Sequence, residues 1–195
     1  MKVGVLALQG AFREHHEVLD ALGVEAIEVR TPAELGALDA LILPGGESTT
    51  MSKLLDSSGV RTPLAELLAD GMPVFGTCAG MILLAREVVD GRPDQEPFGI
   101  IDVAVRRNAY GRQRDSFEAP LHVSGLEVDG MVGGAFPGVF IRAPRIEHAG
   151  DDVEVLATYD DHPVLARQGR AWVASFHPEL SGDLRLHERF LQGAS

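Results

Sequence analysis

Short apolar runs alternate with amphipathic stretches through the first half of the chain. Residues 3–8 are continuously apolar, as a strand buried on both faces requires, and residues 11–22 then carry apolar positions at helical spacing. Residues 24–29 alternate in the manner of a strand, and residues 40–43 form another buried run, stopped by Pro44-Gly45-Gly46. The pattern predicts helices over 48–55 and 64–69, the second ended by Gly71, then a strand over 73–75 and a helix over 79–86. Strands alternating with helices at this spacing imply right-handed crossovers and a parallel sheet. In such sheets reactive groups gather beyond the carboxyl ends of the strands, where Gly10, Gly46 and Cys78 fall.

From about Ile100 the pattern changes to short strands with little helix: 101–105, 117–123, 138–141, 153–158, 163–167 and 171–176, closed by a helix over 184–191. The expected architecture is α/β, a mostly parallel central sheet flanked by helices with an antiparallel extension. With no repeat, low-complexity tract or linker, residues 1–195 read as one domain. That length suffices to bury about 70% of the unfolded surface without staples.

Composition narrows the setting. One cysteine among 195 residues permits no intramolecular disulfide, which suits a reducing compartment, so the cytoplasm is expected. The apolar run at 3–8 is too short for a signal peptide's hydrophobic region. The longest uncharged stretch, 71–85, is broken by glycine, proline and threonine and falls short of the roughly 20 residues a membrane helix requires. A formal charge of −12 repels phosphate backbones and anionic lipid, which argues against nucleic acid and membrane as partners. Arg106, Arg107, Arg112 and Arg114 stand against that balance, within nine residues and with no acid among them. Arg107 and Arg114 read as a solvated loop, Arg106 and Arg112 as cations for a small anionic ligand.

The chemistry concentrates at Cys78, within Phe75-Gly76-Thr77-Cys78-Ala79-Gly80. Small residues between a strand and a helix resemble a nucleophile elbow, the turn that lifts a reactive side chain above a parallel sheet. A cysteine attacks carbonyl carbon as the thiolate and needs a hydrogen-bonding or positive neighbour, most often histidine. His177 lies 99 positions downstream (177 minus 78), directly after an apolar run. Glu179, two residues on, would point the same way on extended backbone and could fix the imidazole's tautomer, with Pro178 restricting the chain between them. Alone, the cysteine reads as core filler and the histidine as structural; together the three read as a split nucleophile, base and orienting carboxylate. His15, His16, His122, His148, His162 and His187 lack comparable context and read as surface or packing residues, and no metal site is expected.

Leu43-Pro44-Gly45-Gly46-Glu47-Ser48 lacks the lysine and spacing of a phosphate loop. It is either a plain strand-to-helix turn with Ser48 as N-cap or a loop whose Gly46 N–H faces an incoming carbonyl oxygen. Paired with the Ala79 N–H, the latter makes an oxyanion hole, worth about 3 to 4 kcal/mol per donor in other enzymes.

Leu41-Ile42-Leu43-Pro44-Gly45-Gly46, Gly76-Thr77-Cys78-Ala79-Gly80 and His177-Pro178-Glu179 resemble the three motifs of class I glutamine amidotransferases, which have a flavodoxin-like fold. More narrowly, Leu6-Ala7-Leu8-Gln9-Gly10-Ala11-Phe12, Gly46-Glu47-Ser48-Thr49-Thr50, the segment from Arg106 to Gln113, and Phe140-Ile141-Arg142-Ala143-Pro144 are similar to the glutaminase subunits of glutamine-dependent pyridoxal 5'-phosphate synthases. The resemblance runs over nearly the whole chain. It implies L-glutamine as substrate and Cys78, His177 and Glu179 as catalytic residues, with Gly46 and Ala79 forming the oxyanion hole. It also implies that Gly46, Glu47, Ser48, Arg106, Ile141 and Arg142 hold the substrate, that no cofactor takes part, and that a synthase subunit receives the ammonia. Two other readings stay open: a glutaminase for another acceptor, such as that of histidine biosynthesis, and a flavodoxin-like cysteine redox sensor or repair protein. The second leaves His177-Pro178-Glu179 without a role.

Overall fold

A computed structural model of the chain describes residues 1–91, 96–107, 109, 116–126 and 134–194. Its central sheet has seven strands. The first half supplies β1 (Lys2–Leu6), β2 (Glu25–Val29), β3 (Ala40–Leu43) and β4 (Val74–Thr77), alternating with α1 (Phe12–Ala21), α2 (Ser48–Ser57) and α3 (Arg61–Ala69). After β4 comes α4 (Ala79–Leu84), then β5 (Ala85–Val88), β6 (Ile101–Arg106), β7 (Ser116–Leu121), β8 (Phe136–Ile141) and β9 (Arg145–Ala149). The chain returns to the sheet with β10 (Glu154–Tyr159), β11 (His162–Gln168) and β12 (Ala171–Ala174), and α5 (Arg185–Ala194) follows.

The strand order is β10-β11-β12-β4-β3-β1-β2. β12, β4, β3, β1 and β2 pair in parallel, while β10 and β11 add on as an antiparallel extension. The α/β architecture is thus the one the hydrophobic pattern predicts. Not every expected strand joins the extension, however: β5, β6 and β9 make a separate three-stranded sheet and β7 and β8 a ribbon of their own. The helix expected over 79–86 stops at Leu84, because Ala85 is captured by strand pairing with Ile101.

Burial on both faces explains the unbroken apolar strands. Leu41 and Leu43 of β3 point into one core layer, shared with Met51 and Leu55 of α2, Leu64 and Leu68 of α3, and Met81 to Leu84 of α4. Ala40 and Ile42 point into the other, with Leu19 of α1, Phe75, Trp172, and Leu186 and Phe190 of α5. Helices α2, α3 and α4 therefore cover one face and α1 and α5 the other. Along one edge of this sandwich lie the carboxyl ends of β1, β3, β4 and β12, and the segments that leave them carry the chemistry.

Candidate active site

Cys78 occupies the single residue between β4 and α4, with φ 48° and ψ −102°. A side chain at positive φ is strained, and here the surroundings hold it: the Cys78 N–H donates to Ala174 O at 2.8 Å, and the turn is pressed against the end of β3. Any Cβ at Gly80 would overlap the Leu43 carbonyl, so the helix approaches the sheet this closely only because residue 80 has no side chain.

The register of the sheet brings His177 to the same place. β12 runs parallel to β4 with Ala174 opposite Thr77, so three residues past Ala174 the chain stands beside the elbow. The His177 N–H donates to Val139 O at 2.8 Å, which ties it to β8. His177 Nδ1 lies 2.7 Å from Glu179 Oε1, and His177 and Cys78 line the same cleft. Burial disfavours a charged imidazole, but interaction with Cys78 and Glu179 outweighs it and raises the His177 pKa to about 10. For Glu179 burial likewise opposes charge, and contacts with His15 and His177 outweigh it and hold the carboxyl below its usual value. The pair is an imidazolium facing a carboxylate at neutral pH. Sulfur, imidazole and carboxylate therefore line up in that order.

The loop after β3 packs over this group. A Cβ at Gly45 would overlap the His177 ring and come within 3.3 Å of Cys78 Cβ, so glycine is required by space alone. Gly45 O accepts from Ala11 N–H at 2.9 Å, and Glu47 N–H donates to Gln9 Oε1 at 2.9 Å. The β1–α1 turn thus clamps the glycine loop. Because a trans peptide holds C=O and N–H antiparallel, the Gly46 N–H faces away from α1. The N-cap of α2 is Glu47 rather than Ser48: its carboxylate accepts from Thr49 N–H at 3.0 Å, Thr50 N–H at 2.7 Å and Thr50 Oγ1 at 2.6 Å. Burial works against this charge, yet the Thr50 and Thr49 hydrogen bonds prevail and bring its pKa to about 2.

A cleft of about 180 Å³ opens at Cys78, lined by Gly46, Glu47, Ser48, Ile82, Arg107, Ile141, Arg142, Pro144 and His177. Drug-sized ligands occupy roughly 300–1,000 Å³, so this is a site for a small metabolite. Ile141 O is 4.0 Å from Cys78 Sγ, and Ser48 Oγ is buried with no hydrogen-bond partner. Arg106 is not part of the cleft wall: its Nε donates to Glu147 Oε1 at 2.7 Å, beside Arg145 on β9. Its neighbour Arg107 lines the cleft instead, 3.5 Å from Glu47 Oε1. The reason is strand alternation, since Ile101, Val103 and Val105 face inward and Arg106 falls on the opposite face. Ala79 lies buried at the start of α4. Arg112 and Arg114 lie outside the described residues.

Two residues read from the sequence as packing sit behind the group. His15 and His187 are fully buried, and His15 Nε2 is 3.4 Å from Glu179 Oε2. Among the described residues no group of three or more His, Cys, Asp or Glu side chains is arranged to hold a metal ion, and no helix is long and apolar enough to cross a membrane.

The model of the SNO glutamine amidotransferase family matches residues 5–194. The chain belongs to that family. It is a glutaminase of the amidotransferase type, and the cleft at Cys78 is the place where its fold gathers reactive groups. Curated relatives include "Pyridoxal 5'-phosphate synthase subunit PdxT" of Mycobacteroides abscessus, 56% identical over 97% of this chain and 95% of the relative. The protein of the same name from Geobacillus kaustophilus is 54% identical, over 98% of this chain and 93% of the relative. A solved structure described as a glutamine amidotransferase superposes with a TM-score of 0.90 at 52% identity, covering 98% of both chains.

Proposed function

We propose that this glutaminase serves a pyridoxal 5'-phosphate synthase, as its relatives' names say of them, and that Cys78, His177 and Glu179 carry the reaction. The observation that carries the reading is a buried carboxylate 2.7 Å behind an imidazole that lines, together with the Cys78 thiol, one cleft of metabolite size.

The sulfur attacks as the thiolate, its charge balanced by the His177 imidazolium. It adds to the side-chain carboxamide carbon of L-glutamine, and the carbonyl π pair moves onto oxygen. That oxyanion is received by the N–H groups of Gly46 and Ala79. His177 then gives its proton to the amide nitrogen, the C–N bond breaks and ammonia leaves, with a glutamyl thioester on Cys78. Neutral His177 next takes a proton from water as the water adds to the thioester. Collapse of that intermediate expels the thiolate and releases glutamate. Glu179 remains ionised throughout and steadies the imidazolium.

The amino-acid end of the substrate needs a cation for its carboxylate and acceptors for its ammonium. Arg107 on the cleft wall supplies the first, in place of Arg106. Ser48 Oγ, buried and unpartnered, and the backbone at Ile141 and Arg142 supply polar contacts. Glu47 contributes through its backbone, because its carboxylate is committed to α2. Ammonia released into water at neutral pH is mostly protonated and no longer nucleophilic, which makes direct transfer to a bound synthase subunit chemically useful. The cytoplasm is the compartment that suits the chain's lone thiol.

The test is glutaminase turnover of Cys78→Ala in the presence of the synthase subunit. Ammonia release should vanish while the far-ultraviolet circular dichroism is unchanged; retained turnover removes the proposal. Adding the synthase subunit to the native chain should raise turnover, and equal rates with and without it count against the partnership.

A further inference from the structure

Glu179 has two carboxylate oxygens, and the mechanism above uses one. Oε1 meets His177, while Oε2 is buried and turned toward α1, where His15 Nε2 lies 3.4 Å away. A carboxylate oxygen left without a donor in an interior is costly. We propose that His15 is a positioning residue of the glutaminase site, holding Glu179 from the side opposite His177. The inference rests on the triad reading above and adds a residue to it.

His15 sits among more contacts than packing requires. Its Nε2 is also 3.2 Å from the hydroxyl of Thr77, the residue before Cys78. On the far side of the ring, Nδ1 is 3.0 Å from His187 Nε2 on α5. Both rings are fully buried, and burial keeps both pKa values below the ordinary histidine value, so each ring is neutral and owns one N–H.

Two arrangements of those protons are conceivable, and the surroundings separate them. With the proton on His15 Nε2, the ring donates to Thr77 and presents the positive end of that N–H to Glu179 Oε2, its Nδ1 accepts from His187 Nε2–H, and His187 Nδ1 is left as a bare lone pair. That atom is indeed buried without a partner. With the opposite tautomers, a His15 lone pair would face the carboxylate, and the unpartnered His187 Nδ1 would be a buried N–H. Orphaned donors are the rarer and costlier defect, and two like-signed electron clouds at 3.4 Å repel. The hydrogen bond therefore runs from His187 to His15, whose own N–H is turned toward Thr77 and, at 3.4 Å, toward the unpartnered oxygen of Glu179, with His177 on that carboxylate's other side. His15 lies outside the cleft wall, so it acts through Glu179: it fixes the carboxylate plane in which Oε1 meets the imidazole.

The experiment measures glutamine turnover with the synthase subunit present, for His15→Phe, His15→Gln and Glu179→Gln. Phenylalanine keeps a ring and removes the donor. It should lower kcat about ten- to hundred-fold, the usual cost of losing such a supporting contact, and leave KM within about two-fold. Glutamine can place an amide N–H near the position of Nε2 and should restore most of kcat. Equal losses in both variants, or wild-type kcat in His15→Phe beside a crippled Glu179→Gln, overturn the role of His15 alone. Wild-type kcat in Glu179→Gln instead overturns the triad reading. Should His15→Phe fail to fold, nitrogen-15 histidine spectra of the native protein decide: His15 must be the neutral Nε2–H tautomer, and the Nδ1–H tautomer ends the proposal.

Discussion

Lowering the pH from 7 to 5 should destabilise this protein through His187, and the size of the loss follows from where the ring sits. His187 is fully buried between α1 and the sheet, 5.9 Å from the Phe75 ring centroid and hydrogen-bonded to His15 at 3.0 Å. Burial first, and then His15, holds its pKa down to about 3 from an ordinary 6.5. Between those two values the unfolded chain binds a proton that the folded chain refuses. The contribution is therefore fully present above pH 6.5 and is lost as pH falls toward 3. Linkage makes the loss about 2 kcal/mol between pH 7 and 5 and about 3 kcal/mol by pH 4. Set against a typical 5–15 kcal/mol of total stability, such a loss is large.

His177 works in the opposite direction and partly hides the effect. Its folded pKa of about 10 lies above the unfolded value, so its contribution is complete below pH 6.5 and is lost as pH rises toward 10. Acidification from pH 7 to 5 gains about 1 kcal/mol from this group. A comparison with His187→Gln removes that confusion, because glutamine can keep a donor to His15 but cannot titrate. Urea unfolding of both proteins at pH 7 and pH 5 gives the four stabilities needed. Between those pH values the native chain should lose about 2 kcal/mol more than the variant. Parallel losses, equal within about 0.5 kcal/mol, would refute the assignment of His187 as a buried neutral ring.

Other outcomes are open to direct measurement. Gly45→Ala forces a methyl into the His177 ring, and a displacement of that group should cost about a hundred-fold in kcat/KM with the synthase subunit present; activity within about two-fold of native would show that the ring has another place to stand. Arg107→Ala should raise KM for glutamine about ten- to hundred-fold, the loss of one charged hydrogen bond, while Arg106→Ala should leave KM near native. The reverse pattern would return the substrate carboxylate to Arg106. Glu47→Ala removes the cap of α2 and should destabilise by about 1 to 2 kcal/mol in urea unfolding. No change in midpoint would mean that the threonine contacts do not stabilise the helix.

The strands that place the site were legible because they are buried on both faces. Residues 40–43 and 171–174 are apolar without interruption, and no tertiary detail is needed to read them as central strands. β9 was not legible: of its five residues only Ile146 is buried, and Glu147 and His148 give it the look of a loop. The end of α4 was hidden for a different reason. Leu84-Ala85-Arg86 continues a good helical pattern, and what stops the helix is the pairing of Ala85 with Ile101, sixteen residues away (101 minus 85). The convergence of Cys78 with His177 was readable as motif but not as geometry, since it depends on β12 lying next to β4 in parallel register.

The two departures at the site itself carried a signal that periodicity could have supplied. Residues 101, 103 and 105 alternate with polar or small neighbours, and extending that period by one step selects Arg107 as the inward cation and rejects Arg106. On α1, His15 stands three and four positions before Val18 and Leu19, the other two buried residues of the helix, so its spacing alone puts it on the inner face. A histidine on an inner face must find partners for both ring nitrogens, or leave one buried and unsatisfied. Here α1 faces the carboxyl ends of β4 and β12, and the groups waiting there are Thr77, Glu179 and His187. The element that covers the sheet thus also reaches the carboxylate behind the imidazole, which is why substitution on this buried helix face should be read in kcat as well as in stability.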